Sequence, residues 1–236
     1  MCISEKPQTS ELINESLKET IKVFCIVVVF SIAFAYIESA VVVYLRAIFY
    51  PDGFTFPITV FDISPLGKRL LVTEIGREAA TIVLIFTSSW LFGKNRRQRF
   101  AYFMVIFAVW DIFYYVWLKV LLDWPASIMD WDILFLIPMT WASAVLYPVL
   151  ISVAMLVFAA VILYRDAHGK TIKVTLADWL AFIASCVIMV ASFCTPGPYV
   201  TEADYKSYFY WPIFAAGFLL AIGVFIKCLV KSNSMQ

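Results

Sequence analysis

The sequence predicts an all-α fold, a polytopic transmembrane bundle of about six helices, and three observations predict it. The 236 residues are 63% hydrophobic and only 15% charged, with a mean hydropathy of +0.87, against about 45–50% apolar and 25% charged in soluble domains. Six segments are long and apolar enough to cross hydrocarbon. Lysine and arginine gather on alternate flanks of those segments, as the positive-inside rule requires.

A crossing helix takes about 20 mainly apolar residues. Such stretches occur at residues 23–49, 70–92, 100–122, 133–163, 179–195 and 209–230. They divide the chain into a cytoplasmic segment 1–22, one transmembrane domain 23–230 and a cytoplasmic tail 231–236. The leading segment carries Glu5, Glu11, Glu15 and Glu19 rather than a basic run, so the first apolar stretch reads as a retained anchor and not a cleaved signal. Within it Leu12, Ile13, Leu17 and Ile21 oppose Glu11, Glu15, Lys18 and Glu19, the pattern of a short amphipathic surface helix.

With the N-terminus inside, Lys6, Lys18 and Lys22, then Lys94 to Arg99, then Arg165, Lys170 and Lys173, then Lys227 and Lys231 all fall on the cytoplasmic side. Only Lys68, Arg69 and Lys206 fall outside, together with Asp52, Asp62, Asp123, Asp130, Asp132, Glu202 and Asp204. Both termini are therefore expected inside. Tyr50, Trp124, Trp131 and Trp211 mark the outer border and Trp90 and Trp179 the inner one. In the first outer loop Phe54, Phe56, Ile58 and Val60 alternate with Thr55, Pro57 and Thr59, which predicts an extended stretch with one apolar face. Residues 133–163 are too many for one perpendicular crossing and too few for two. Pro138 and Pro148 predict a kinked, tilted or partly re-entrant path there.

Charge inside the apolar segments is the functional signal, because each ion at a helix centre costs about 2.5–3.5 kcal/mol on insertion scales and must find a partner or water. These residues are Glu38 and Arg46 on the first helix, Glu74, Arg77 and Glu78 on the second, and Asp111 and Lys119 on the third, with Tyr115 between the last two. At 1.5 Å per residue, Glu38 and Asp111 lie about 17–18 Å from the outer helix ends. Offsets of three, four and seven residues put Glu74, Arg77, Glu78 and Thr81 on one side of their helix, and Asp111, Tyr115 and Lys119 on one side of theirs. The three faces are expected to meet in a layer open to the outer side. That layer fits a ligand or proton pathway, or equally an ion-pair network that fixes helix packing.

Composition also excludes function classes. A net charge of +1 gives no electrostatic case for nucleic acid. One histidine, His168, in an inner loop, and five cysteines without a C-x-x-C leave no expected metal site or cofactor. Residues Glu74 to Glu78 resemble the glutamate and arginine motif of membrane CAAX-type proteases, but the membrane histidines those enzymes need are absent.

The run Val109-Trp110-Asp111-Ile112-Phe113-Tyr114-Tyr115-Val116-Trp117-Leu118-Lys119, with Asp123-Trp124-Pro125 and Trp131-Asp132-Ile133-Leu134-Phe135-Leu136-Ile137-Pro138, resembles a family of small prokaryotic multipass membrane proteins. The likeness extends from about residue 38 to 153. It implies the cytoplasmic membrane of a prokaryote and attaches no activity. Three functions stay open: a carrier of a small solute, ions or protons through Glu38, Glu74, Arg77, Glu78 and Asp111; an accessory subunit whose charges pair with other membrane subunits; and a cofactor-free enzyme on a lipid or isoprenoid, with Arg46, Arg77 or Lys119 holding a headgroup. The balance leans away from an enzyme. In each case the bilayer is the first partner.

Overall fold

A computed structural model describes residues 6–58 and 64–234. The chain is all-α in class and 75% helical. Among the described residues the helices are α1 (Lys6–Phe49), α2 (Pro65–Phe92), α3 (Arg96–Leu122), α4 (Leu146–Ala167), α5 (Leu176–Cys194) and α6 (Trp211–Asn233). A two-stranded hairpin, β1 (Trp131–Phe135) and β2 (Trp141–Ala144), precedes α4. Five of the six helices are long and apolar enough to cross a membrane; α2 is the exception, diluted by Lys68, Arg69, Glu74, Arg77 and Glu78.

Local chemistry sets the helix ends. Ser64 accepts from the Gly67 N–H, with Pro65 at the first position of α2. Asn95 accepts from the Gln98 N–H to open α3, and Asp123 closes it in the left-handed region with φ 53°. Thr175 and Asp178 form a reciprocal capping box at α5.

Two sequence expectations change. The amphipathic stretch before the first crossing is not a separate surface helix but the opening turns of α1, which runs unbroken for 44 residues. The apolar run 133–163 is not one helix. Its first part pairs Trp131 with Ala144, Asp132 with Ser143, Ile133 with Ala142 and Phe135 with Trp141, with an irregularity between Ile133 and Phe135. Only from Leu146 onward is it helical. A continuous apolar run has no periodicity to separate buried strand from buried helix. Strand backbone is tolerated at membrane depth when its polar groups pair and the protein encloses it.

α3 is the central helix, packed against α1, α2 and α4, while α5 and α6 form an antiparallel pair joined to the rest through β2 and α4. Ala35, Ile85, Ala101, Val105, Ile106 and Ala159 fill the first interior. Ile58, Trp131, Ala142, Phe193, Val200 and Phe209 fill a second, under the hairpin. Phe54, Phe56 and Ile58 turn inward as their alternation predicts: Phe54 meets the rings of Tyr50 and Trp124, Phe56 those of Trp131 and Tyr205, and the Ile58 N–H donates to the Val200 carbonyl. Val60 and Asp62 lie outside the described residues. At the far end Asp166 accepts from Asn95, Arg97 and Gln98, tying α4 to the α2–α3 turn, and Lys227 pairs with Asp178 between α5 and α6. Exposed Val29, Tyr44, Val72, Leu91, Val187 and Leu219 give the outer surface an apolar character suited to hydrocarbon.

Gly197, just beyond α5, lies against the hairpin turn, and a Cβ added there would overlap the Thr140 carbonyl oxygen. Gly197→Ala is therefore expected to cost about 1–3 kcal/mol, as overpacking against a rigid neighbour does, read as a lower thermal midpoint in detergent. Gly76→Ala, which meets nothing within 4 Å in the middle of α2, is the control and leaves the midpoint unchanged or slightly higher.

Candidate functional site

The charged faces of α1, α2 and α3 converge with the hairpin around one cavity of about 770 Å³, within the roughly 300–1,000 Å³ of typical ligand pockets. Glu38, Arg46, Glu74, Arg77, Glu78, Asp111 and Tyr115, all singled out by sequence, lie on its wall. Lys119 does not. It turns outward at the end of α3 and pairs with exposed Asp123 at 2.7 Å, which holds the Asp123 carboxyl below its ordinary range.

Both cations on the wall are already neutralised. Arg77 forks onto Glu74, its Nε donating at 2.9 Å, while Nη1 pairs with Glu38 across the gap between α1 and α2. A hydroxyl, Thr81 Oγ1, lies 3.4 Å from the same Glu38 oxygen. Arg46 pairs with Asp132 of β1 at 3.2 Å and is held between the Phe54 and Trp124 rings, 4.0 and 3.9 Å from their centroids. The Tyr114 hydroxyl donates to the other Asp132 oxygen.

The remaining carboxylates have neutral partners. Glu78 accepts the Leu136 N–H of the hairpin at 2.9 Å, and Asp111 accepts the Ser152 hydroxyl of α4 at 2.7 Å. Five carboxylates, Glu38, Glu74, Glu78, Asp111 and Asp132, thus share the wall with two guanidinium groups. An added anion would be repelled there, whereas a neutral or cationic group would not. Among the described residues no group of three or more His, Cys, Asp or Glu side chains is placed to hold a metal ion.

The rest of the wall is apolar. On α3 it descends from Tyr115 through Trp110 to Phe107 and Phe103, a run of about 18 Å at 1.5 Å per residue. α4 adds Pro148, Ile151 and Met155, and α5 adds Cys186, Met189, Val190 and Phe193. Trp110, Phe135, Trp141 and Phe193 form a continuous line of rings 5.5–6.5 Å apart. Leu71, Ala79 and Ile82 of α2 and Cys186 of α5 line the cavity and are also exposed, and α2 and α5 scarcely touch. The cavity opens sideways between these two helices.

Sequence reasoning placed Asp132 in an outer loop and gave Trp110 and Trp141 only packing roles. A signal for Asp132 was present: Arg46 had no acid at helical spacing on its own face. The hairpin was foreshadowed only by the awkward length of residues 133–163. Comparison of the chain with protein-family models, with curated proteins and with solved structures found no match in any of the three.

Proposed function

We propose that this chain is a membrane protein whose buried cavity takes up a non-anionic amphiphile from the bilayer. We place six crossings, both termini on the cytoplasmic side, in the cytoplasmic membrane of a prokaryote. Support for the orientation is the basic run Lys94 to Arg99 with Arg165 and Lys227 at one end of the bundle; the membrane type rests on the family resemblance. In that frame the carboxylates occupy the outer half and the aromatic slot reaches inward.

The observation that carries the proposal is the composition of the cavity wall: a polar belt with saturated arginines above, hydrocarbon-like walls below, and a sideways mouth between α2 and α5. A hydrophilic solute would gain nothing from the walls of Phe103, Phe107, Met155 and Met189. A molecule with an apolar tail and a small polar head buries both ends. No reaction is assigned to the site.

A proton or small-ion carrier is the second reading. It draws on Glu78 and Asp111, buried carboxylates with no basic partner. Glu78→Gln with Asp111→Asn would abolish flux in proteoliposomes if it holds.

A photoactivatable long-chain alcohol bearing a diazirine, added to proteoliposomes, tests the first reading. Label should concentrate on cavity residues of α2, α3 and α5. Ala79→Trp and Ile82→Trp, which place a large ring at the mouth, should suppress it, and Lys119→Ala should leave it unchanged. Label spread evenly over the lipid-facing surface, and indifferent to both tryptophan variants, would refute the proposal.

A further inference from the structure

Two groups on the cavity wall narrow the head of the ligand, if the cavity is the amphiphile site proposed above. Trp110 and Trp141 both line the cavity, and the indole Nε1 of each is buried with no hydrogen-bond partner. Trp110 is only 5% exposed. An indole N–H is a donor and nothing else, and a buried donor left unmatched is costly enough that folded proteins seldom keep one, still less two in the same chamber. An acceptor brought by a ligand would satisfy both.

The shape of the surroundings restricts that acceptor. The two indoles belong to the ring line that Phe135 and Phe193 complete, with centroid spacings of 6.5, 5.5 and 6.4 Å. Such a wall favours a flat ring in offset or edge contact. Charge restricts it further. Arg46 and Arg77 are committed to Asp132, Glu38 and Glu74, so a phosphate head would find no free guanidinium and would meet a surplus of carboxylates. A neutral carbonyl suits uncharged indole donors.

We propose that the cavity binds a membrane quinone. Its flat ring lies along Trp110, Phe135 and Trp141, its carbonyl oxygens accept from the unmatched indole N–H groups, and its isoprenoid tail passes Phe107 and leaves between α2 and α5. The apolar cavity floor and the sideways mouth fit a ligand that never leaves the hydrocarbon.

The test uses the full chain in proteoliposomes, with the diazirine alcohol as reporter and a decyl-benzoquinone as competitor. The quinone should protect the cavity from label in a saturable way, and phosphatidic acid should not. Trp110→Phe and Trp141→Phe keep a ring but remove the N–H, so each should raise the quinone concentration for half-protection by about fivefold. Unprotected labelling of both variants should match the wild type, which also shows that they fold. Normal alcohol labelling that the quinone does not displace, or that it displaces equally well in the phenylalanine variants, would overturn the quinone assignment while sparing the amphiphile cavity. Failure of the alcohol to label the wild-type cavity at all would overturn both.

Discussion

Asp132→Ala is expected to destabilise the detergent-solubilised protein by about 3–5 kcal/mol, the cost of leaving one member of a buried ion pair alone. The Arg46 and Asp132 side chains are 9% and 4% exposed. Without the carboxylate, the guanidinium stays clamped between Phe54 and Trp124 with no acid beside it, and the Tyr114 hydroxyl loses its acceptor as well. The pair also fastens β1 to α1, so its loss should loosen the hairpin that walls the cavity. Hydrogen exchange should rise across residues 131–144 before it rises in α3. The double variant Arg46→Met with Asp132→Leu removes both charges and should regain most of the loss, because well-packed apolar residues often replace a buried pair without penalty. A double variant as unstable as the single one would contradict this account of the pair.

Arg77→Met is the second large effect, at about 3 kcal/mol, near the lower end of that range because 21% of the arginine side chain is exposed. The substitution leaves Glu38 and Glu74, one from each side of the α1–α2 gap, without their shared cation. Thr81 stays near Glu38, but a hydroxyl supplies no charge. Adding Glu38→Gln and Glu74→Gln should restore the thermal midpoint. A midpoint that moves no further than that of a surface substitution would mean the cluster adds nothing to packing.

Much of this architecture is legible in the chain. Four of the crossing helices follow from apolar length alone, and α2 follows because its charges repeat at three- and four-residue offsets that keep them on one face. The same spacing brings Glu38, Glu74, Arg77, Glu78 and Asp111 to one chamber. Lys119 fits that periodicity too, yet it sits in the last turn of α3, where Asp123 four residues on offers a nearer partner in water. Local spacing carries no information about such competition.

The hairpin was illegible for a different reason. Ile133 to Ile137 is apolar on every side because one face meets the cavity and the other the protein, which erases the alternation that marks a half-buried strand. Arg46 and Asp132 are 86 residues apart, so their pairing exists only once the hairpin folds back. The unmatched indoles of Trp110 and Trp141 are likewise a property of the assembled chamber, since a sequence shows tryptophans but not whether their N–H groups find acceptors.

A high-resolution cryo-EM map of the wild-type protein in lipid nanodiscs tests the central claim most directly. The account predicts one elongated density that enters between α2 and α5, runs past Phe107 and ends in a compact head beside Trp110, Asp111 and Trp141. A collapsed chamber, or separate water-sized peaks bridging Glu78 and Asp111 with nothing crossing the α2–α5 gap, would contradict it.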